Sequence, residues 1–231
     1  MAKEITYRHE LKYLMNKRDA DCCLPILRQF TKNDVHAPQG EYFVRSLYFD
    51  DEYRSAYEDK LSGVASRRKY RIRIYDMDDG FISLEKKIKE GSYIRKESAV
   101  ISRTEYDMII NGETGFLLER DEKVAKEFAI ECRMNRLKPE VIVDYMRKPL
   151  VCEYGGVRIT FDMNIKAVFD SLDIFETDSA AYNVLEQDLL IMEVKYNEYL
   201  PDVFHAILPD TSCQIAASKY VMCEDVLSSF R

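Results

Sequence analysis

The stretch KYRIRIYDMDDGFISLEKKIKEGSYIRKE, Lys69 to Glu97, strings Arg71, Arg73, Lys87 and Lys96 along what read as adjacent β-strands, with Glu85 among them. Side chains two residues apart on a strand share a face, so these cations repel one another unless an anion lies between them. The pattern recurs along the chain. In YRHELKY, Arg8, Glu10 and Lys12 oppose Tyr7, His9, Leu11 and Tyr13; in VRITFD, Arg158, Thr160 and Asp162 oppose Val157, Ile159 and Phe161; in IMEVKY, Glu193 and Lys195 oppose Met192 and Val194. Such bases suit phosphate, whose oxygens accept from Arg forks and Lys ammonium groups. Interleaved carboxylates suit Mg²⁺ or Mn²⁺, which take oxygen ligands and bridge carboxylates to phosphate.

The elements that must position these residues follow from the period. Alternation with period two predicts strands over 6–14, 42–50, 69–75, 81–88, 93–101, 140–145, 157–161 and 189–196. Helical stretches lie between them: NKRDADCCLPILRQF, DEYRSAYEDKLSG, SRTEYDMIIN with a Ser102 cap, DEKVAKEFAIECRMNR, and two more around PDVFHAIL and AASKYVMCEDVLSSF. The class is α+β with a largely antiparallel sheet. An ordinary sheet with one solvated face also alternates, but here the charged faces are biased toward Arg and Lys in a chain of net charge −7. If helices cover the apolar sides, the charged sides face one another, and the expectation is a closed eight-stranded β-barrel tunnel with helices packed outside. Its basic lumen calls for a polyanion, because burying cations without counter-ions is costly.

The 231 residues, 46% hydrophobic, show no repeat or linker, so one domain over 1–231 is expected. The acidic balance argues against a general nucleic-acid surface. No apolar run is long enough for a membrane span and the N-terminus does not read as a signal peptide, which points to a cytoplasmic protein. Cys22 and Cys23 are adjacent, and the other cysteines have no zinc spacing; they read as reduced, packed thiols. His9, His36 and His205 are isolated, and Asp76 to Gly80 reads as a hairpin turn rather than a metal loop. There is no P-loop and no Ser-His-Asp or Cys-His arrangement.

Taken in order, YRHELKY, SLYFD, KYRIRIY, LEKKIK, IRKES, VDYMRKP, VRITFD, IMEVKYN and SKY resemble the VTC domain. This is the catalytic domain of the vacuolar transporter chaperone polyphosphate polymerase and its stand-alone bacterial relatives, in the triphosphate tunnel metalloenzyme superfamily. The resemblance runs from Tyr7 to about Met222. It implies tunnel bases at Lys12, Arg71, Arg73, Lys87, Lys96, Arg147, Arg158 and Lys219, with Lys195 a further candidate, and a phosphate-side tyrosine at Tyr145. It implies metal binding by Glu193, with Glu10, Glu85 and Asp162 as wall carboxylates able to contribute, and a catalytic set of Arg71, Arg73, Lys87, Arg147, Arg158 and Glu193.

The implied reaction moves the γ-phosphate of ATP, or of another triphosphate donor, onto growing polyphosphate with Mn²⁺ or Mg²⁺. One departure bears on this. The hydrolase and cyclase branch, called CYTH, begins with Glu-x-Glu-x-Lys, whereas Arg8 stands here at the first glutamate, as it does in VTC domains. The alternatives are a CYTH-like triphosphatase and a non-catalytic polyphosphate- or nucleotide-binding module. The regulatory SPX domain and membrane helices of the eukaryotic polymerases are absent from these residues, which leaves a separate membrane partner to accept product.

Overall fold

A computed structural model describes residues 8–230. One sheet dominates it, built from β1 (His9–Asn16), β2 (Lys32–Asn33), β3 (Tyr42–Asp50), β4 (Ser66–Tyr75), β5 (Asp78–Glu90), β6 (Tyr93–Ile101), β7 (Lys138–Cys152), β8 (Val157–Val168), β9 (Ala181–Asn183) and β10 (Leu189–Tyr196). The main path runs β1-β10-β8-β7-β3-β4-β5-β6, with β2 added to β7 and β9 to β8, and the pairings are antiparallel. The helices are α1 (Lys17–Leu27), α2 (Ser55–Leu61), α3 (Arg103–Ile110), α4 (Lys123–Met134), α5 (Asp202–Ile207) and α6 (Lys219–Ser228).

Local chemistry explains several boundaries. Asp76 and Met77 take positive φ (50° and 59°) between β4 and β5, the geometry a tight hairpin requires, and Asp76 Oδ1 accepts from Phe43 N at 2.8 Å. The hairpin turn is therefore present but shorter than expected: it takes Asp76 and Met77, while Asp78 to Gly80 belong to β5. Ser102 caps α3 in a reciprocal box with Glu105. Residues 6 and 7 of the first expected strand lie outside the described residues, and β2 and β9, too short to show a period, add to the eight strands expected.

The faces sort as the alternation requires. Outward residues of β3 to β6, among them Leu47, Ile72, Leu84 and Ala99, form a core under α3 and α4 with Tyr106 and Phe128. Outward residues of β1, β8 and β10, among them Tyr13, Ile159 and Met192, form another with Leu27 of α1 and Phe204 of α5.

Two expectations need correction. Among the described residues the sheet is not closed by a hydrogen-bonded ladder: its edges, β1 and β6, meet at a single bridge, where Arg8 and Ile94 exchange bonds of 3.2 Å. Further along, the edge of β1 is taken instead by residues 214–215, with Ile215 N donating to Lys12 O at 2.8 Å. Nor do all the helices pack outside. Tyr220, Val221, Cys223 and Leu227 of α6 pack on Tyr48, Val143 and Tyr145, which point to the charged side of the sheet. The reason is chemical: α6 carries polar groups that pair there, with Tyr220 donating to Asp50 Oδ2 at 2.5 Å and Lys219 bound to Asp162.

Candidate active site

The inner face is a row of cations, each held by its strand register. On β1 and β10, Lys12 lies opposite Glu193 and Glu10 opposite Lys195. The four charges interlock: Lys12 Nζ is 3.2 Å from Glu10 and 3.9 Å from Glu193, and Lys195 Nζ is 2.5 Å from Glu193 and 3.9 Å from Glu10. Lys87 reaches across from β5 to both oxygens of Glu10 at 2.9 Å.

The electrostatics follow from this crowding. Burial and the neighbouring Glu193 push the Glu10 carboxyl up, but Lys87, Lys12 and Lys195 prevail and bring it down to about 2. Glu193 is likewise held well below the usual carboxylate range, against burial, by Lys195, Lys12 and Lys87. Both are anions at neutral pH. Lys87 is pushed down to about 8, by burial first and by Lys12 and Lys195 as like charges, with Glu10 opposing.

Further round the sheet, Arg71 Nε donates to Glu85 Oε2 at 2.7 Å, and Lys96 takes the other oxygen at 2.8 Å. Arg147 forms a two-pronged bond to Asp162, 2.7 Å at each oxygen, and Lys219 adds 2.5 Å to the same carboxylate, which is fully buried. Arg158 donates to Tyr42 OH at 3.2 Å and pairs with Asp34 at 2.8 Å. Arg73 differs from these. It is 5% exposed and bonds only to hydroxyls, Ser46 Oγ at 2.9 Å and Tyr145 OH at 3.0 Å. No carboxylate among the described residues forms an ion pair with it.

The structure thus brings Lys12, Glu10, Lys87, Glu193 and Lys195 into one cluster. It sets Glu85 and Asp162 apart in their own ion pairs, with Arg71 and Lys96 around the first and Arg147 and Lys219 around the second. Of the hydroxyls that orient the arginines, the sequence pointed to Tyr145, which bonds to Arg73, but not to Ser46 or Tyr48. Tyr48 OH accepts from Arg71 at 2.9 Å, and burial, which would raise its phenol, is outweighed by Arg71 and Arg73, which lower it. Ser46 and Tyr48 already shared the inward parity of β3, so the signal was present. Lys69, one period before Arg71, was also passed over; its Nζ donates to Ser218 Oγ at 2.7 Å.

Whether these residues fit a divalent metal can be judged from their chemistry. Glu10 and Glu193 are adjacent hard-oxygen donors, bonded to lysines that a cation would displace. Thr160, opposite Glu193, has a buried Oγ1 with no hydrogen-bond partner among the described residues, as has Arg158 Nε. Among the described residues no group of three or more His, Cys, Asp and Glu gathers. A site with two carboxylates suits Mg²⁺ or Mn²⁺, which complete their shells with water and substrate phosphate, and does not suit the four-ligand cages of structural zinc.

This fold is shared with solved structures of low sequence identity. A Hippeastrum candidate adenylyl cyclase with a dominant triphosphatase activity superposes at a TM-score of 0.55, with 13% identity over 98% of this chain and 96% of its own. The PH1012 protein of Pyrococcus horikoshii superposes at 0.51, with 10% identity over 92% and 96%. No curated protein matches the sequence. The likeness to these structures is one of fold. The VTC domain family matches residues 7–228, and the chain belongs to that family.

Proposed function

We propose that the chain is a metal-dependent polyphosphate polymerase, in which the inner face forms a tunnel that holds ATP, or another triphosphate donor, against a growing polyphosphate chain. The observation that carries the reading is the Glu10–Glu193 pair ringed by Lys12, Lys87 and Lys195, on the same face as Arg73, a buried cation with only hydroxyl partners. Arg71, Arg73, Arg147 and Arg158 clamp the phosphates, with Lys96 and Lys219 beside them and Tyr145 orienting Arg73. The terminal oxygen of the acceptor chain bonds to the γ-phosphorus, the bond from that phosphorus to the β–γ bridging oxygen breaks, and ADP leaves. Such a transfer needs positioning and charge neutralisation rather than a protein nucleophile. Glu10 and Glu193 would hold the cation, which when bound neutralises phosphate charge and orients the triphosphate. Arg8 supports transfer over hydrolysis: it is exposed at the sheet edge, beside its bridge to Ile94, so the metal site keeps two carboxylates rather than three.

The second reading is hydrolysis of inorganic triphosphate or a nucleotide, favoured by the fold held in common with the Hippeastrum triphosphatase. Phosphorus NMR of the protein with ATP and Mn²⁺ separates the two. A mid-chain polyphosphate signal with ADP, lost in Glu193→Ala and Arg71→Ala, supports the polymerase. Orthophosphate without chain growth replaces it with the triphosphatase, and an unchanged spectrum refutes both as activities of this chain alone.

A further inference from the structure

A cavity of about 470 Å³ opens beside Lys12 and Lys87, between β1, β4, β5 and the 211–218 segment, and among the described residues Glu10 is the only carboxylate lining it. Besides Lys12 and Lys87, five cations line it: Arg68, which is exposed and pairs with Glu131, and Lys60 on α2, Arg67 and Lys69 on β4, and Lys89 on β5. These last four are partly buried, and none forms an ion pair with a carboxylate among the described residues. Arg67 bonds to the Val64 carbonyl at 2.6 Å and Lys69 to the Ser218 hydroxyl at 2.7 Å. Elsewhere on the inner face almost every cation is matched by an acid. Burial lowers the ammonium groups of Lys60 and Lys89, and so does the neighbouring charge of Arg67 and Lys12. Like charges gathered in a recess are a local field awaiting a polyanion.

We propose that this cavity is a second anion subsite, which takes the distal phosphates of a linear condensed phosphate longer than triphosphate and so makes the protein select for chain length. This rests on the reading of the chain as a condensed-phosphate enzyme. A compact ligand held by Arg71, Arg73 and Arg147 has no phosphate left to place beside Lys60. A longer chain, leaving the central cluster past Lys87, enters the cavity that Lys69, Arg67, Lys89 and Lys60 line. The outer wall is fixed rather than loose, because Ile215 is bonded to the Lys12 carbonyl and Lys12 Nζ to the Ala217 carbonyl at 2.8 Å.

The test is calorimetric titration of the full chain with tripolyphosphate and with medium-chain linear polyphosphate, at one fixed salt concentration because such binding is salt-dependent. The wild type should favour the longer chain. Lys60→Ala/Arg67→Ala/Lys89→Ala should weaken the longer chain about tenfold and leave tripolyphosphate within about twofold, as expected for partly exposed charge contacts. Lys60→Arg/Lys89→Arg should keep the preference, and thermal unfolding run in parallel shows that each variant is folded. Equal loss for both ligands, no loss for either, or a wild type indifferent to length overturns the inference alone. A wild type that binds neither ligand overturns the functional reading beneath it. Tighter binding of a single-stranded oligonucleotide, with the same dependence on these cations, overturns the choice of ligand class.

Discussion

Arg73 separates what stabilises this fold from what it is for. Buried at 5% exposure, it faces Ser46 and Tyr145 hydroxyls and no carboxylate in ion-pair range, with the like charge of Arg71 working against it. Desolvating an ion costs several kcal/mol, and replacing buried charges by apolar groups of similar volume commonly stabilises by about 1–4 kcal/mol. Burial and Arg71 work against the guanidinium's charge, but Tyr145 and the Glu85 field hold it above its usual range. A methionine of similar volume nevertheless carries no desolvation cost at all, so Arg73→Met should stabilise the ligand-free protein by about 1–3 kcal/mol. With 231 residues at about 2.1 cal/mol/K each, the unfolding entropy is about 0.5 kcal/mol/K, and Tm should rise by about 2–6 °C. Under the proposed function the same change removes a charge-assisted phosphate contact of about 1.5–3 kcal/mol and should weaken tripolyphosphate roughly 10- to 150-fold. Arg71→Met is the control. It leaves Glu85 with Lys96 alone, and should lower Tm while also weakening binding. Scanning calorimetry with and without tripolyphosphate reads both quantities. A lower Tm for Arg73→Met together with unchanged affinity would refute the reasoning, since it would make Arg73 a structural residue.

Asp162→Asn removes the anion between Arg147 and Lys219 and leaves two buried cations unpaired. It should cost about 3–5 kcal/mol, and added tripolyphosphate should raise its Tm by more than it raises the wild type's; an equal rise would show that these cations do not reach the ligand. Acid should also act through Asp162. Burial pushes its carboxyl up, but Arg147 and Lys219 bring it down from 3.8 to about 2, so the stability it adds is full above about pH 4 and is lost as pH falls toward about 2, to the extent of about 2 kcal/mol. Urea unfolding across that range should show the loss in the wild type and a flatter curve in Asp162→Asn.

The parts of this site that were legible in the sequence are those governed by strand parity. Arg71 and Arg73, Glu85 and Lys87, and Glu193 and Lys195 lie on the inner face because a two-residue repeat leaves no choice once Ile72, Leu84 and Val194 are buried on the other side. What parity does not specify is how far a sheet curls. Closure depends on strand tilt and stagger, and here residues 214–215 take the edge of β1 that β6 would otherwise pair with, from a loop with no period of its own. The seat of α6 was hidden for a related reason. Lys219 and Glu224 mark a solvent-facing helix by composition, yet both are buried, at 9% and 0% exposure, because Asp162 and Arg54 wait for them on other elements.

That placement also bears on how the face can work. By packing on Tyr48, Val143 and Tyr145, α6 narrows the space over the charged row, and through Ser218 and Lys219 it touches β4 and β8 at once. Tyr48 is held from both sides: its ring stacks on Tyr220 at 5.3 Å and its hydroxyl accepts from Arg71. Tyr48 thus helps to orient Arg71, and Ser46 and Tyr145 orient Arg73, before any ligand arrives; of these arginines Arg73 is the one held by groups that do not compete for its charge, since Arg71 also pairs with Glu85 and Arg147 with Asp162. Neutral hydroxyls suit that task better than carboxylates would, since a phosphate can join Arg73 without first displacing an anion. Of the carboxylates on this face, Glu85 and Asp162 are bound by arginines, whereas Glu10 and Glu193 are held by lysines alone; under the proposed function these two are the pair a divalent cation would recruit, and the lysines released by that exchange would be free for phosphate.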